Sequence, residues 1–256
     1  MGATRILGIP IDSVGGAVGT TFMPRALRQA GVVDALGADD LGDLDVLIEP
    51  PVRDPETGIV GSDSVLAVTR TIREAVVRTA DPDATTVLLG GCCTLAVGAI
   101  AGLRDRFGEI GVVYVDGHLD LYDGDNSPTG EAADMPLAVA LGRGPWAWGS
   151  TVGDRPLLTP PDVALLGFRD LDEARDLGSV TPEQLPGITA MDTTRIREVG
   201  PTVAAREARA AVASGARRFW VFVDLDILDE SLRQRRPRSG RFGLAGARRS
   251  PHPLGA

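Results

Sequence analysis

The chain has 256 residues, a formal net charge of −9, 43% hydrophobic and 24% charged residues, a balance that suits one large folded domain with a substantial core. An acidic surface argues against nucleic-acid binding, and no apolar run approaches the roughly 18 residues that a membrane helix needs. No N-terminal basic-plus-apolar signal is visible, so a cytoplasmic protein is expected.

In chain order, short Val-, Leu- and Ile-rich runs alternate with helical patterns. "TRILGIPID" (4–12) predicts a strand, "MPRALRQAGVVDAL" (23–36) a helix, "DVLIEP" (45–50) a strand and "SDSVLAVTRTIREAVVRTA" (62–80) a helix. "TTVLLGG" (85–91) predicts the next strand, followed by the helix "TLAVGAIAGLRDRF" (94–107), the strand "IGVVYVDG" (110–117) and the short helix "MPLAVALG" (135–142). "DVALLGFRD" (162–170) and "GITAMD" (187–192) predict strands, "PTVAAREARAAVASGA" (201–216) a helix, and "RRFWVFVDLDILD" (217–229) a last strand. Several of these runs are apolar at consecutive positions, as strands buried on both faces are. The alternation predicts an α/β protein, a three-layer α/β/α arrangement with a mostly parallel central sheet.

Composition changes after Glu230. Seven of the 26 basic residues, all of them arginine, lie in the last 26 residues, which contain no acid. One α/β domain is expected over 1–230 and an irregular Arg/Pro/Gly-rich tail over 231–256, either solvated or an arm for an anionic partner. Only two cysteines occur, Cys92 and Cys93, and their adjacency excludes a secreted disulfide framework.

In a parallel sheet the ligand site lies outside the carboxyl ends of the strands. The polar clusters fall there: "GGCCT" (90–94), "DGHLD" (116–120) and the "DLD" of 224–226. Asp116, His118 and Asp120 occupy alternate positions, which share one face of an extended segment. Gathering them with Asp224 and Asp226 without a cation is costly, because like charges at close range oppose one another's ionisation. Carboxylates with one imidazole suit Mn²⁺ or Mg²⁺. The plain alternative is a solvated loop after a strand.

The ordered set "GGCCT", "DGHLD", "SPTGEAADMP" (127–136) and "VDLDILDE" (223–230) resembles the motifs of the arginase/agmatinase (ureohydrolase) family of binuclear manganese hydrolases. The likeness runs from about Ile6 to Glu230. It implies an arginase-like fold and hydrolysis of a guanidino C–N bond by metal-activated hydroxide, with a small guanidino compound as substrate. By the resemblance, Asp116 and Asp224 bridge two metals, His118 and Asp226 complete one site, and Asp120 belongs to the other with Cys93. Asp120 and His118 take the catalytic positions, and Ser127 and Glu131 the substrate-binding ones. A homo-oligomer stays open.

The chain departs from the family pattern at five places, one of them Cys92, which stands where the family has an aspartate. Cys93 replaces a histidine ligand; it ligates as a thiolate, which favours softer metals than Mn²⁺, or it packs passively, and so does Cys92 unless the two form a vicinal disulfide. Ala133 replaces a histidine, removing a proton shuttle. Glu131 replaces a substrate-contacting asparagine, favouring a cationic substrate over one with a carboxylate, unless it is merely a solvated loop acid. The arginine-rich end replaces the family's last helix, strand and guanidinium-contacting glutamate, as an altered reading frame or terminus would. Besides the hydrolase, two readings compete: a catalytically impaired binding or assembly subunit, and a hydrolase using the Cys93 thiolate as nucleophile.

Overall fold

Val, Leu and Ile runs build the parallel layer. The computed structural model describes residues 3–213 and 218–228. Its strands are β1 (Thr4–Ile9), β2 (Ala38–Asp43), β3 (Thr85–Gly90), β4 (Ile110–Val115), β5 (Val163–Leu166), β6 (Thr189–Met191) and β7 (Arg218–Val223). Between them run α1 (Met23–Gln29), α2 (Val32–Leu36), α3 (Ser62–Thr79), α4 (Leu95–Phe107), α5 (Pro136–Ala140), α6 (Trp146–Gly149), α7 (Leu171–Asp176), α8 (Thr193–Val199) and α9 (Pro201–Val212). All strand pairs are parallel, in the orders β2-β1-β3 and β6-β5-β4-β7.

Alternation along β4 and β5 makes the layers. Val112, Tyr114, Val163 and Leu165 join the larger core, which includes residues of α3, α4 and α5. Val113, Ala164 and Leu166 face the other way, against Ala204, Ala208 and Val212 of α9, as the period of two requires. The result is the expected α/β/α sandwich.

In α3 the buried Val65, Val68, Ile72 and Val76 recur at helical spacing and form its inward stripe. Trp148 of α6 is fully buried, and its Nε1 donates to Thr69 Oγ1 of α3 at 2.8 Å. Trp148→Phe removes that bond and part of the packing, so an unfolding free energy about 2–3 kcal/mol lower is expected. Denaturant titration measures this; a midpoint unchanged within error contradicts it.

Three expected elements differ. The 45–50 run is not a strand: Ile48 is fully buried, but the segment ends at Pro50 and Pro51, which bring no N–H to a ladder. The strand beside β1 is instead the acidic, exposed "ADDLGD" of β2. Arg28 of α1 holds it, its Nε donating to Asp40 at 2.7 Å and its Nη1 to Asp43. The 23–36 helix breaks between α1 and α2, at Gly31 with φ 87°. Three helices escape sequence periodicity, because α6, α7 and α8 have four to seven residues each, less than two full turns. The 217–229 run is strand only to Val223; a 3-10 turn over Leu225–Ile227 follows. The tail assigned to 231–256 lies outside the described residues. No helix of the described residues is long and apolar enough to cross a membrane.

Candidate metal centre

Because β4 and β7 are parallel neighbours with Val115 opposite Val223, the residues following both strands emerge side by side. The Asp224 N–H donates to Val115 O at 2.8 Å and carries the register one step past the ladder. Asp224 then caps the 3-10 turn, its Oδ1 accepting from Asp226 N at 2.9 Å. Arg169, from the loop after β5, clamps that turn with Nη2 donating to Asp226 O at 2.7 Å.

These constraints bring Asp226 against the start of "DGHLD". Its Oδ1 accepts from the Gly117 N–H at 2.7 Å, and its Oδ2 lies 2.6 Å from His118 Nδ1. Asp116 Oδ1 accepts from the His118 N–H at 2.8 Å. Asp116, His118 and Asp226 each offer a ligand atom within 4.8 Å of the others, the one such group among the described residues. Burial opposes the charge on Asp226, but the His118 bond and the Gly117 N–H outweigh it and hold its pKa below the usual carboxylate range. The same Asp226 contact, against the cost of burial, raises His118 to about 9.

Asp116 has the opposite fate. Burial first, then the charges of Asp120, Asp224 and Asp226, push it up to about 11, and its Oδ2 is buried with no hydrogen-bond partner. A divalent cation would supply both the missing partner of that oxygen and the charge that lets these acids ionise together. Two carboxylates and an imidazole are donors that such an ion accepts, so the residues fit one metal at this position.

The other expected ligands line the same pocket outside this three-residue group. Asp120 is buried with φ 52°, and its Oδ2 accepts from the Tyr114 hydroxyl at 2.6 Å. Burial raises it to about 8, against the hydrogen bond from Tyr114 and the charge of His118. Cys93 is buried with Sγ 3.1 Å from Ala133 O, to which it donates. Burial and the nearby Asp120 raise its pKa well above the ordinary thiol value, which favours the neutral thiol while no cation is bound. Both cysteines are free, with no disulfide between them.

Among the described residues the pocket, about 380 Å³, is lined by Glu131, Asp134, Asp170 and Glu173 besides the carboxylates above, and by no arginine. Glu131 accepts from Ser13 Oγ at 2.8 Å. Ser127 is buried and does not line the pocket; its hydroxyl donates to Asp134 and accepts from Gly130 N at 2.8 Å, bracing the loop. Sequence reading missed Asp170, whose Oδ2 accepts from Leu119 N at 3.2 Å and whose Oδ1 is buried without a partner; burial raises its pKa. It also missed Asp12, which fixes the loop above the pocket by accepting from Thr20 N at 2.8 Å and Thr20 Oγ1 at 2.9 Å. A single aspartate beside each strand end carries no distinguishing pattern.

Gly117 leaves no room for a side chain: a Cβ there lies 2.7 Å from Asp226 Oδ1. Gly117→Ala is expected to displace Asp226 and weaken Mn²⁺ binding by about 10- to 100-fold, as loss of a ligand's supporting contact does. Titration calorimetry reads the change, with circular dichroism confirming the fold; wild-type affinity in a folded variant contradicts it.

Known proteins are similar to this chain in sequence and in fold. The arginase of Bacillus subtilis strain 168 is 31% identical over 173 residues, 66% of this chain but only 58% of that protein. The arginase of Bacillus caldovelox is 28% identical over 232 residues, covering 88% of this chain and 76% of its own. The native structure of the Bacillus caldovelox arginase superposes with a TM-score of 0.75 at 26% identity, over 90% of this chain and 78% of that one. The Arginase family profile matches residues 3–233, a span that includes every strand and every site residue described above, and the chain therefore belongs to the arginase family.

Proposed function

We propose that the chain is a manganese-dependent hydrolase of a guanidino C–N bond. The observation that carries this reading is the buried, unpartnered oxygen of Asp116 within the Asp116, His118 and Asp226 group. Asp116 and Asp226 would hold a divalent ion through carboxylate oxygens and His118 through a ring nitrogen once deprotonated, and such an ion would supply a lowered water pKa and Lewis acidity toward the substrate. Asp224 and Asp120 are the acids available for a second ion. Asp120, steadied by Tyr114, also accepts a hydrogen bond from the attacking water and orients it.

Substrate choice follows from charge. Among the described residues the pocket wall is acidic and contains no arginine, so it attracts a second cationic group and repels a carboxylate. Glu131 and Asp134 are the acids that meet the non-reacting end of the substrate. With Mn²⁺ supplied, urea release from agmatine is expected to exceed that from L-arginine by at least about tenfold in kcat/KM, the worth of one unfavourable charge contact. Preference for L-arginine, or no urea from either, sinks the reading.

A second reading, a metal-binding subunit without turnover, draws on Cys93 and Ala133. The Cys93 thiol is engaged with the Ala133 carbonyl, and His118 is the one imidazole among the described residues, His252 lying outside them. Elemental analysis after Mn²⁺ loading separates the two: two ions per chain with urea release support the hydrolase, one ion without release the subunit.

A further inference from the structure

Glu131 is held from outside its own loop. Its Oε2 accepts from Ser13 Oγ at 2.8 Å, across 118 residues of sequence. Ser13 is 3% exposed and does not line the pocket, whereas Glu131 does. The Ser13 loop is itself fixed: Asp12 accepts from Val14 N at 3.0 Å and from Thr20 N at 2.8 Å, and Gly16 N donates to Ile48 O at 2.7 Å. On the other side, the Glu131 N–H donates to Thr129 Oγ1 at 2.9 Å, and the Glu131 carbonyl accepts from Asp134 N at 3.0 Å. Its main chain and its carboxylate are therefore anchored independently.

A glutamate side chain is long and rotamer-rich, so one that is free on a pocket wall must be ordered by whatever it binds, at the expense of affinity. A single neutral donor at its head removes that freedom and leaves the charge in place; an arginine there would neutralise it. Among the described residues no arginine lines the pocket, so the fixed charge is available to a ligand. We propose that Ser13 is a specificity-determining positioning residue: by fixing Glu131 it makes the pocket select compounds whose far end carries an ammonium group over those whose far end is uncharged. This rests on the role given above to Glu131 at the non-reacting end of the substrate, and adds the residue that makes that role selective. Turnover is not needed for it.

The test is titration calorimetry of the full chain, loaded with Mn²⁺, against 1,4-diaminobutane and butylamine. These differ by one terminal ammonium, and neither has a guanidino bond to hydrolyse. The wild-type protein is expected to bind the diamine at least about tenfold more tightly than the monoamine. Ser13→Ala, with its fold confirmed by circular dichroism, is expected to reduce that preference to about threefold or less, as is Glu131→Gln with Ser13 intact. In the Glu131→Gln background Ser13→Ala changes the preference no further, because the hydroxyl acts through the carboxylate. The proposal is overturned if the wild-type protein binds neither amine or shows no preference, or if Ser13→Ala keeps the wild-type preference. It is equally overturned if Ser13→Ala lowers the preference as much without the Glu131 charge as with it, the mark of a merely structural role. Urea release from agmatine tests the hydrolase reading separately, so the two can fail independently.

Discussion

Asp116→Asn is expected to abolish the rise in melting temperature that Mn²⁺ gives the wild-type protein, while raising the melting temperature of the metal-free form. At about 100 times its Kd a bound ion stabilises by about 2.7 kcal/mol, which for a chain of this size is about 5–10 °C. Asparagine keeps the oxygen that accepts from the His118 N–H but removes the negative charge, so the ion loses its central ligand. Without metal the same charge is a liability: Asp116 is 1% exposed and beside Asp120, Asp224 and Asp226. Asn resembles the protonated acid that burial already favours, and removing repulsion among the remaining acids raises stability by a few degrees. Thermal scans of both proteins with Mn²⁺ or chelator decide it. A wild-type-sized Mn²⁺ shift in the variant removes Asp116 from the metal site.

The stability of the metal-free protein is expected to fall as pH rises from about 5 to 9, in the order that the three raised groups dictate. Asp116 is raised to about 11 and Asp120 to about 8. Unfolded aspartate ionises near pH 4, so above that pH the unfolded chain sheds protons that the folded chain retains, and stability is lost progressively up to the folded pKa values. His118, raised to about 9, acts in the same direction: its contribution is complete below its unfolded pKa of about 6.5 and lost as pH passes the folded value. Asp226, held low, acts only at acid pH, where its contribution disappears as pH falls below about 4. Ligands must be deprotonated to bind an ion, so the Mn²⁺ stabilisation grows across the window in which metal-free stability declines. Melting curves at half-unit pH steps, with Mn²⁺ or chelator, test both trends. A metal-free protein that becomes more stable from about pH 5 to 9 contradicts the clustering of these acids.

Much of the fold was legible because burial on both faces leaves an unmistakable mark. The consecutive apolar runs at 85–91, 110–117 and 162–170 read as strands and are β3, β4 and β5, of which β4 and β5 are the buried ones. The carboxylates were legible too, since aspartates directly after an apolar run must sit at a strand end. β2 was not: its "ADDLGD" is held as an edge by pairing with β1 and by the Arg28 contacts, and partners distant in sequence leave no periodicity. The buried Ile48 of 45–50 looked like strand for the converse reason, because burial alone does not distinguish a strand from an irregular segment packed on the core.

Sequence by itself determined the parallel α/β layering, the strand ends that carry the acids, and the family resemblance, because each depends on local composition and order. Tertiary structure decided which acids share an ion. The parallel pairing of β4 with β7 and the Arg169 clamp bring Asp226 to His118 across more than a hundred residues. The fold likewise placed the Cys93 thiol on the Ala133 carbonyl and turned Ser127 into a brace for its loop. Proton affinity and hydrogen-bond partners are set by the surrounding dielectric and neighbouring charges, which only the folded chain supplies.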